Sequence, residues 1–311
     1  MKIGHISDLH ILKLDDPRPW EFLNKRLVGG ANLLFKRSKS HSSRVVREAL
    51  RHLDEDCGVD HIAITGDLSN LALASEFAEA ADILAEIPFS EERVSVIPGN
   101  HDYYTRETEA SRRFERYFAP YMQSDMPGYR TESGYPFCQF KNDDIAIIGM
   151  KSAVPTPWFF ATGEVDRMQL EATAALLDDP KVRDRFKIVM IHHHLVPFEH
   201  SRVEYSRRLI NADEVLEMLR WHDVDLAIHG HNHHFATIEV PHLRGKGTLR
   251  ICEAGSTSIG SYEDPYFGGK FNVYHIEDGR LLKIETHLFE SHDVGFVQWK
   301  EQAFEQQIAA S

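Results

Sequence analysis

Residues 1–10 read MKIGHISDLH, and the organisation of the chain follows from them. Lys2 to Ser7 has the texture of a short buried strand, Ile3 and Ile6 among small residues, delivering Asp8 and His10 to its C-terminal end. In extended backbone, residues two apart project to the same side, so a carboxylate and an imidazole are aimed together. Four later stretches repeat the plan, an aliphatic run that stops at polar donors: HIAITGDLSN at 61–70, RVSVIPGNHD at 93–102, KIVMIHHH at 187–194 and DLAIHGHNHH at 225–234. The rest of the sequence mostly serves to carry these five strand ends to one place.

Between the strands lie amphipathic segments. Ser42 or Ser43 can cap a helix to about Asp54 with Val46, Ala49, Leu50 and Leu53 on one face. Further helices are expected over Glu76–Glu86, Arg106–Phe118, Glu164–Leu177 and Ala212–Trp221. Alternation of strand and helix is the pattern of a mainly parallel sheet. Strands are expected around the Asn142-Asp143-Asp144 turn, then at 236–240, 248–252, 271–276 and 281–289, with a short terminal helix over Gln298–Ile308. Two similar halves, each a sheet with helices on one face, pack as an α/β fold: a four-layer α/β/β/α sandwich of two packed mixed β-sheets flanked by helices.

A length of 311 residues allows one large domain or two, and a site fed from both ends of the chain argues for one. No run approaches the roughly 20 apolar residues of a membrane span, and the start lacks a secretory apolar stretch, so the expected location is cytoplasmic. Cys57, Cys138 and Cys252 are too few and scattered for a disulfide framework and read as packing residues. The net charge of -13 disfavours indiscriminate binding to nucleic acid or anionic lipid. One segment departs from that average. From Arg18 to Arg47 there are eight Lys or Arg residues, mixed with Trp20, Phe22, Leu27 and Leu34, inside an insert at about 11–43 that is too long for a simple connection. Short helices at 19–28 and 31–37, split by Gly29-Gly30, would make it a basic amphipathic cap, with Lys25, Arg26 and Arg44 as candidate substrate contacts. The same composition suits a lipid-facing segment or a dimer interface.

Asp8, His10, Asp67, Asn100, His192, His231 and His233 supply carboxylate, imidazole and carboxamide donors and no thiolate. Such a mixed N and O set suits Mn, Fe, Zn, Ni or Co ions. Seven donors exceed what one ion takes, so a pair sharing a carboxylate is the natural count, and two ions can hold both the attacking and the departing oxygen of an in-line displacement.

The set DLH, GDLSN, GNHD, HHH and GHNH resembles the calcineurin-like metallophosphoesterase superfamily over roughly residues 1–290, with 291–311 as a tail packed on or extending from that domain. The order of motifs is most similar to its bacterial single-domain phosphodiesterase branch. The resemblance implies one ion on Asp8, His10 and His233, another on Asn100, His192 and His231, and Asp67 between them. It also implies His101 as the catalytic histidine followed by the acid Asp102, which could orient that imidazole. Where the branch reads His-His-Pro-Pro, this chain reads His192-His193-His194-Leu195-Val196-Pro197. Register favours His192 as the ligand over His193, which becomes a supporting or substrate-facing residue. The function expected is a metal-dependent phosphoric ester hydrolase with two transition-metal ions (Mn, Fe or Zn), using an activated hydroxide on a small phosphodiester such as a cyclic nucleotide or glycerophosphodiester. The alternatives are a hydrolase of lipid-linked phosphate or pyrophosphate, like the lipid A precursor enzymes, peripheral to an anionic membrane surface, and a non-catalytic metal-bound scaffold. Nucleic acid is not expected as a partner of so acidic a chain with a single basic patch, and a homodimer through the insert is a further expectation.

Overall fold

The computed structural model describes residues 1–13, 41–197 and 202–304. The expected helices at 19–28 and 31–37, with Lys25 and Arg26, therefore lie outside the described residues.

Twelve strands form two six-stranded sheets. They are β1 Lys2–Ile6, β2 His61–Ile64, β3 Val94–Val96, β4 Phe137–Lys141, β5 Ile145–Gly149, β6 Phe186–Met190, β7 Leu226–His229, β8 Ala236–Pro241, β9 Thr248–Glu253, β10 Lys270–Glu277, β11 Arg280–Ser291 and β12 Gly295–Ala303. The first sheet runs β12-β11-β10-β1-β2-β3, with β1, β2 and β3 parallel and β10 to β12 antiparallel. The second runs β4-β5-β6-β7-β9-β8, parallel in its four central strands and antiparallel at both edges.

The layering follows from residue alternation. In β5, Ile145 and Ile147 join the core between the sheets, while Ala146 and Ile148 join a second core against the outer helices. The second core is sealed by Leu176 and Leu177 of helix Arg167–Asp178 and by Val215 and Leu219 of helix Ala212–Trp221. On the first sheet, Val46, Ala49, Leu50 and Leu53 of helix Ser43–Glu55 and Phe77, Ala80 and Leu84 of helix Ala74–Ala85 are buried. Four layers result, as the sequence predicts.

A polar relay also ties the sheets together. His61 Nε2 meets Ser95 Oγ at 2.8 Å, and Ser95 Oγ donates to Gln139 Oε1 on β4 at 2.7 Å. Among the described residues no helix is long and apolar enough to cross a membrane.

Two elements differ from expectation. Residues 298–303 of the segment expected as the terminal helix belong to β12, paired antiparallel with β11, and residues 305–308 of it lie outside the described residues. Its Glu, Gln and Ala residues favour a helix locally, but the long edge of β11 offers backbone partners and a place for Phe296, which is buried. The helix expected over Arg106–Phe118 is two, Arg106–Ala110 and Arg113–Phe118, broken where Arg112 adopts φ 48° and its guanidinium reaches the carbonyls of Glu132 and Ser133.

Candidate metal centre

Five strands end at one edge of the sandwich. β1, β2 and β3 deliver Asp8 and His10, Asp67, and Asn100; β6 and β7 deliver His192 and His231 with His233. The site thus lies beyond the C-terminal ends of parallel strands in both sheets. Asp8 and His10 do not reach it by extended alternation. Asp8, His10, Asp67, His231 and His233 all have positive φ (53°, 45°, 53°, 79° and 62°), because each strand turns sharply once its ladder ends. Left-handed backbone at non-glycine residues costs free energy and persists where the surroundings enforce it. Here they do: Asp8 N and His10 N donate to the carbonyls of Gly66 and Asp67, and the Asp8 carbonyl accepts from Ser256 Oγ at 2.8 Å and Ser258 Oγ at 3.0 Å. The turn containing Ser256 and Ser258 thus serves as a backbone support.

Two glycines make the close approach possible. A Cβ at Gly99 would collide with Asp67 Oδ1 and lie 2.7 Å from His192 Cε1; one at Gly230 would strike Ser7 Oγ and Asp8 Oδ2.

The donor atoms converge to within hydrogen-bond distance of one another. His10 Nε2 and His233 Nε2 are 3.0 Å apart, and His192 Nε2 lies 3.2 Å from Asn100 Oδ1, 3.3 Å from His231 Nδ1 and 3.5 Å from Asp67 Oδ2. Buried Asp8 Oδ1 takes no hydrogen bond and faces His233 Nε2 at 3.3 Å and His10 Nε2 at 3.8 Å. Asp67 belongs to two groups of donors lying within 4.8 Å of one another, one with His10 and His101 and one with His192 and His231. His41 joins His10 and His233 in a third such group.

Electrostatics favours a cation here. Burial pushes the Asp8 and Asp67 carboxyls up, but neighbouring imidazoles outweigh it, chiefly His233 for Asp8 and His192 for Asp67, and hold both below the usual carboxylate range. Burial likewise lowers His192, yet the charge of Asp67 raises it to about 9. Around it, burial drives His231 and His193 well down and His229 to about 3. Two buried carboxylates held ionised among imidazoles, with one carboxylate oxygen accepting no hydrogen bond, form a donor set that fits transition-metal ions.

The neighbours of the donors are fixed by the protein. His192 Nδ1 reaches the Thr65 carbonyl at 2.7 Å and His231 Nε2 the Arg207 carbonyl at 2.9 Å, leaving their other nitrogens to the centre. His101 N donates to Asp67 Oδ1 at 2.7 Å, and His101 Nδ1 lies 2.6 Å from the Asn70 carbonyl. That carbonyl orients the ring. Asp102 plays another part. Its carboxylate accepts from Leu68 N, Ser69 N, Ser69 Oγ and Gly99 N, bracing the two loops that present Asp67 and Asn100.

His193, expected as a supporting or substrate-facing residue, makes contacts of the supporting kind. It is fully buried, with Nδ1 2.8 Å from Ser152 Oγ and Nε2 3.2 Å from the Ala161 carbonyl, and so supports the loop from beneath. His194 docks helix Arg202–Arg207 through Glu204 at 2.5 Å and accepts Asn232 at 3.0 Å. Arg44 is exposed, paired with Glu48 at 3.0 Å. Two supports escaped the sequence reading. Buried Glu253, at the end of β9, accepts from His234 N at 3.0 Å and anchors the GHNHH loop; its signal was an acid closing an aliphatic strand. The Asn70 carbonyl left no signal, since a backbone atom can belong to any residue.

With the geometry in place, the family is clear: residues 1–235 match the calcineurin-like phosphoesterase family, and the chain belongs to it. Among solved structures, the fold is similar to a dimetal phosphatase from Danio rerio (15% identity, 92% of this chain and 94% of that one, TM-score 0.59). It is also similar to the purple acid phosphatase PPD1 from yellow lupin, Lupinus luteus (11% identity, 96% of this chain and 52% of that one, TM-score 0.59), of which this chain spans about half the length. At such identities the likeness is one of fold. No curated protein sequence matches the chain.

Proposed function

We propose that this protein is a metal-dependent phosphodiesterase of the single-domain bacterial branch, acting on a small phosphodiester such as a cyclic nucleotide or glycerophosphodiester. The observation that carries the reading is the pair of donor groups sharing Asp67. Asp8, His10 and His233 would hold one ion and Asn100, His192 and His231 the other, Mn, Fe or Zn by donor type. Ions so held neutralise phosphoryl charge and activate water at neutral pH.

The chain's own residues do the remainder. Asp67 and Asp8 are kept ionised in a buried setting. Asn70 holds His101 by Nδ1, so Nε2 is the nitrogen assigned to protonate the leaving oxygen. Asp102 keeps the Asp67 and Asn100 loops in register by bonding to both.

The test is hydrolysis of bis(p-nitrophenyl) phosphate against p-nitrophenyl phosphate with Mn²⁺. Diester preference supports the reading and monoester preference overturns it; no turnover of either favours a metal-bound scaffold. A second reading, a lipid-linked phosphate as substrate, draws on the exposed run Trp158, Phe159 and Phe160 (49%, 79% and 39% exposed), which leads directly into the Ala161 carbonyl that holds His193. Vesicle flotation of the protein against Phe159→Ser decides it: equal flotation, or none, rejects the lipid reading.

A further inference from the structure

Apart from the phosphoesterase donors, a second constellation joins helix Ser43–Glu55 to β11. His52 lies in the last turn of the helix, Cys57 two residues beyond its end, and His287 on the strand facing them. One donor atom from each lies within 4.8 Å of the other two. His52 Nε2 is 3.2 Å from His287 Nδ1, and Cys57 Sγ is 3.8 Å from His287 Nε2. A tetrahedral zinc site with bonds of about 2.0–2.3 Å has donor separations of roughly 3.3–3.6 Å; His52 and Cys57 meet opposite nitrogens of His287, so the His52 ring has to swing toward Nε2 for the three to share one ion.

We propose that His52, Cys57 and His287 form a separate mononuclear site for a borderline divalent cation of the zinc class. Three features beyond proximity support it. Asp56 Oδ2 lies 2.9 Å from His52 Nδ1, the carboxylate–histidine pairing that fixes a ligand's tautomer and turns its other nitrogen to the metal. Glu285, two residues before His287 and on the same face of β11, brings Oε2 to 3.8 Å from His287 Nε2 and can complete the coordination. Access is graded: Cys57 and His287 are buried, while the His52 side chain keeps 18% exposure and provides the way in.

The imidazole states suit this assignment, while the thiol has to be deprotonated by the ion itself. Burial pushes the Cys57 thiol up to about 12 and the His287 imidazole down to about 4. Burial lowers His52 as well, so both imidazoles are neutral and ready to bind, and the thiol gives its proton to solvent as the Cys57 Sγ–metal bond forms. Phe271 stacks on His287 at 4.9 Å and 8°, holding the ring in place. The role that follows is a clasp between the first helix and the outer part of the first sheet.

Sulfur makes the test selective. The phosphoesterase donors are nitrogen and oxygen only, and Cys138 and Cys252 are buried elsewhere, so a thiolate-to-metal charge-transfer band in Co²⁺-loaded, reduced protein reports on this site alone. The wild-type chain is expected to show the band. Cys57→Ser should lose it and bind one Co²⁺ fewer per chain; His52→Ala, altered at the partly exposed ligand, should keep it with at least tenfold weaker Co²⁺ affinity. Absence of the band in wild type at excess Co²⁺ overturns the proposal, as does a band that survives Cys57→Ser or an unchanged affinity in His52→Ala. If Cys57→Ser fails to fold, the wild-type spectrum and the His52→Ala titration still decide. Neither depends on phosphate ester hydrolysis.

Discussion

Replacing His101 with alanine separates the two jobs this residue performs. Its backbone nitrogen donates to Asp67 Oδ1 at 2.7 Å, and that bond survives the substitution. Asp67 should stay in place and metal content should remain at the wild-type level. The side chain is what goes. Its ring is immobilised by the Asn70 carbonyl at 2.6 Å, by Tyr104 stacked at 5.5 Å, and by His10 edge-on at 4.9 Å, so a positioned proton donor is lost rather than a floppy one. General-acid catalysis of this kind contributes about 10²- to 10⁴-fold, or about 2.7–5.4 kcal/mol of barrier. The deficit should depend on the leaving group. With an alkyl diester, whose alkoxide departs poorly without a proton, kcat should fall by about 10³-fold or more; with a p-nitrophenyl diester, whose phenolate departs unaided, the fall should be about tenfold. Steady-state kinetics on both substrates, with metal content measured by elemental analysis, checks this. Equal deficits on the two substrates would refute the acid role, and loss of an ion would move His101 into the ligand set beside His10 and Asp67.

Gly99→Ala should abolish activity with little change in helix and sheet content, because the new Cβ collides with Asp67 Oδ1 and crowds His192; wild-type metal stoichiometry in the purified variant would contradict this. Ser95→Ala strips the buried relay of its middle member, stranding His61 Nε2 and Gln139 Oε1 at about 1–3 kcal/mol each, which denaturant unfolding would register as a lower midpoint at unchanged slope. Acid should destabilise the fold through its buried histidines. Burial lowers His5 to about 3 and His61 well below its ordinary value, so both stay neutral when folded. Their stabilisation is fully present above about pH 6.5 and declines as the unfolded chain takes up protons, by about 1.4 kcal/mol per pH unit for each, down to about pH 3 for His5. His61→Gln should flatten the fall in unfolding free energy between about pH 6.5 and 5 by about 2 kcal/mol, and an unchanged fall would show that His61 does not titrate this way.

Much of the centre could be read from the sequence because its donors obey a local rule: each follows an aliphatic strand and a turn. Ile62 to Ile64 and Ala227 to Ile228 have no choice but burial, and whatever follows them emerges at the sheet edge. The four layers were readable from the alternation of strands and amphipathic helices in two similar halves. What could not be read depends on partners remote in sequence. β12 became a strand because β11 was there to pair with it. Asp102 was given to His101 on adjacency, yet its oxygens found Leu68, Ser69 and Gly99; Asn70 acts through a backbone atom that carries no residue identity. Cys57 reads in the sequence as an ordinary packing residue; only β11 brings His287 against it.

The positive φ values at Asp8, His10, Asp67, His231 and His233 have a consequence for how this protein ages and is handled. Their contorted loops are kept in shape by bonds that cross from one sheet to the other, such as His231 N to Asp8 Oδ2 and His192 Nδ1 to the Thr65 carbonyl. Bound ions would add to those crossings, so stripping with a chelator should loosen the junction of the two sheets before it melts either one. Amide exchange along residues 7–10 and 230–233 should quicken on chelation while the centres of β5 and β6 stay slow, and a stock prepared in chelating buffer should lose the joint first and the layers last.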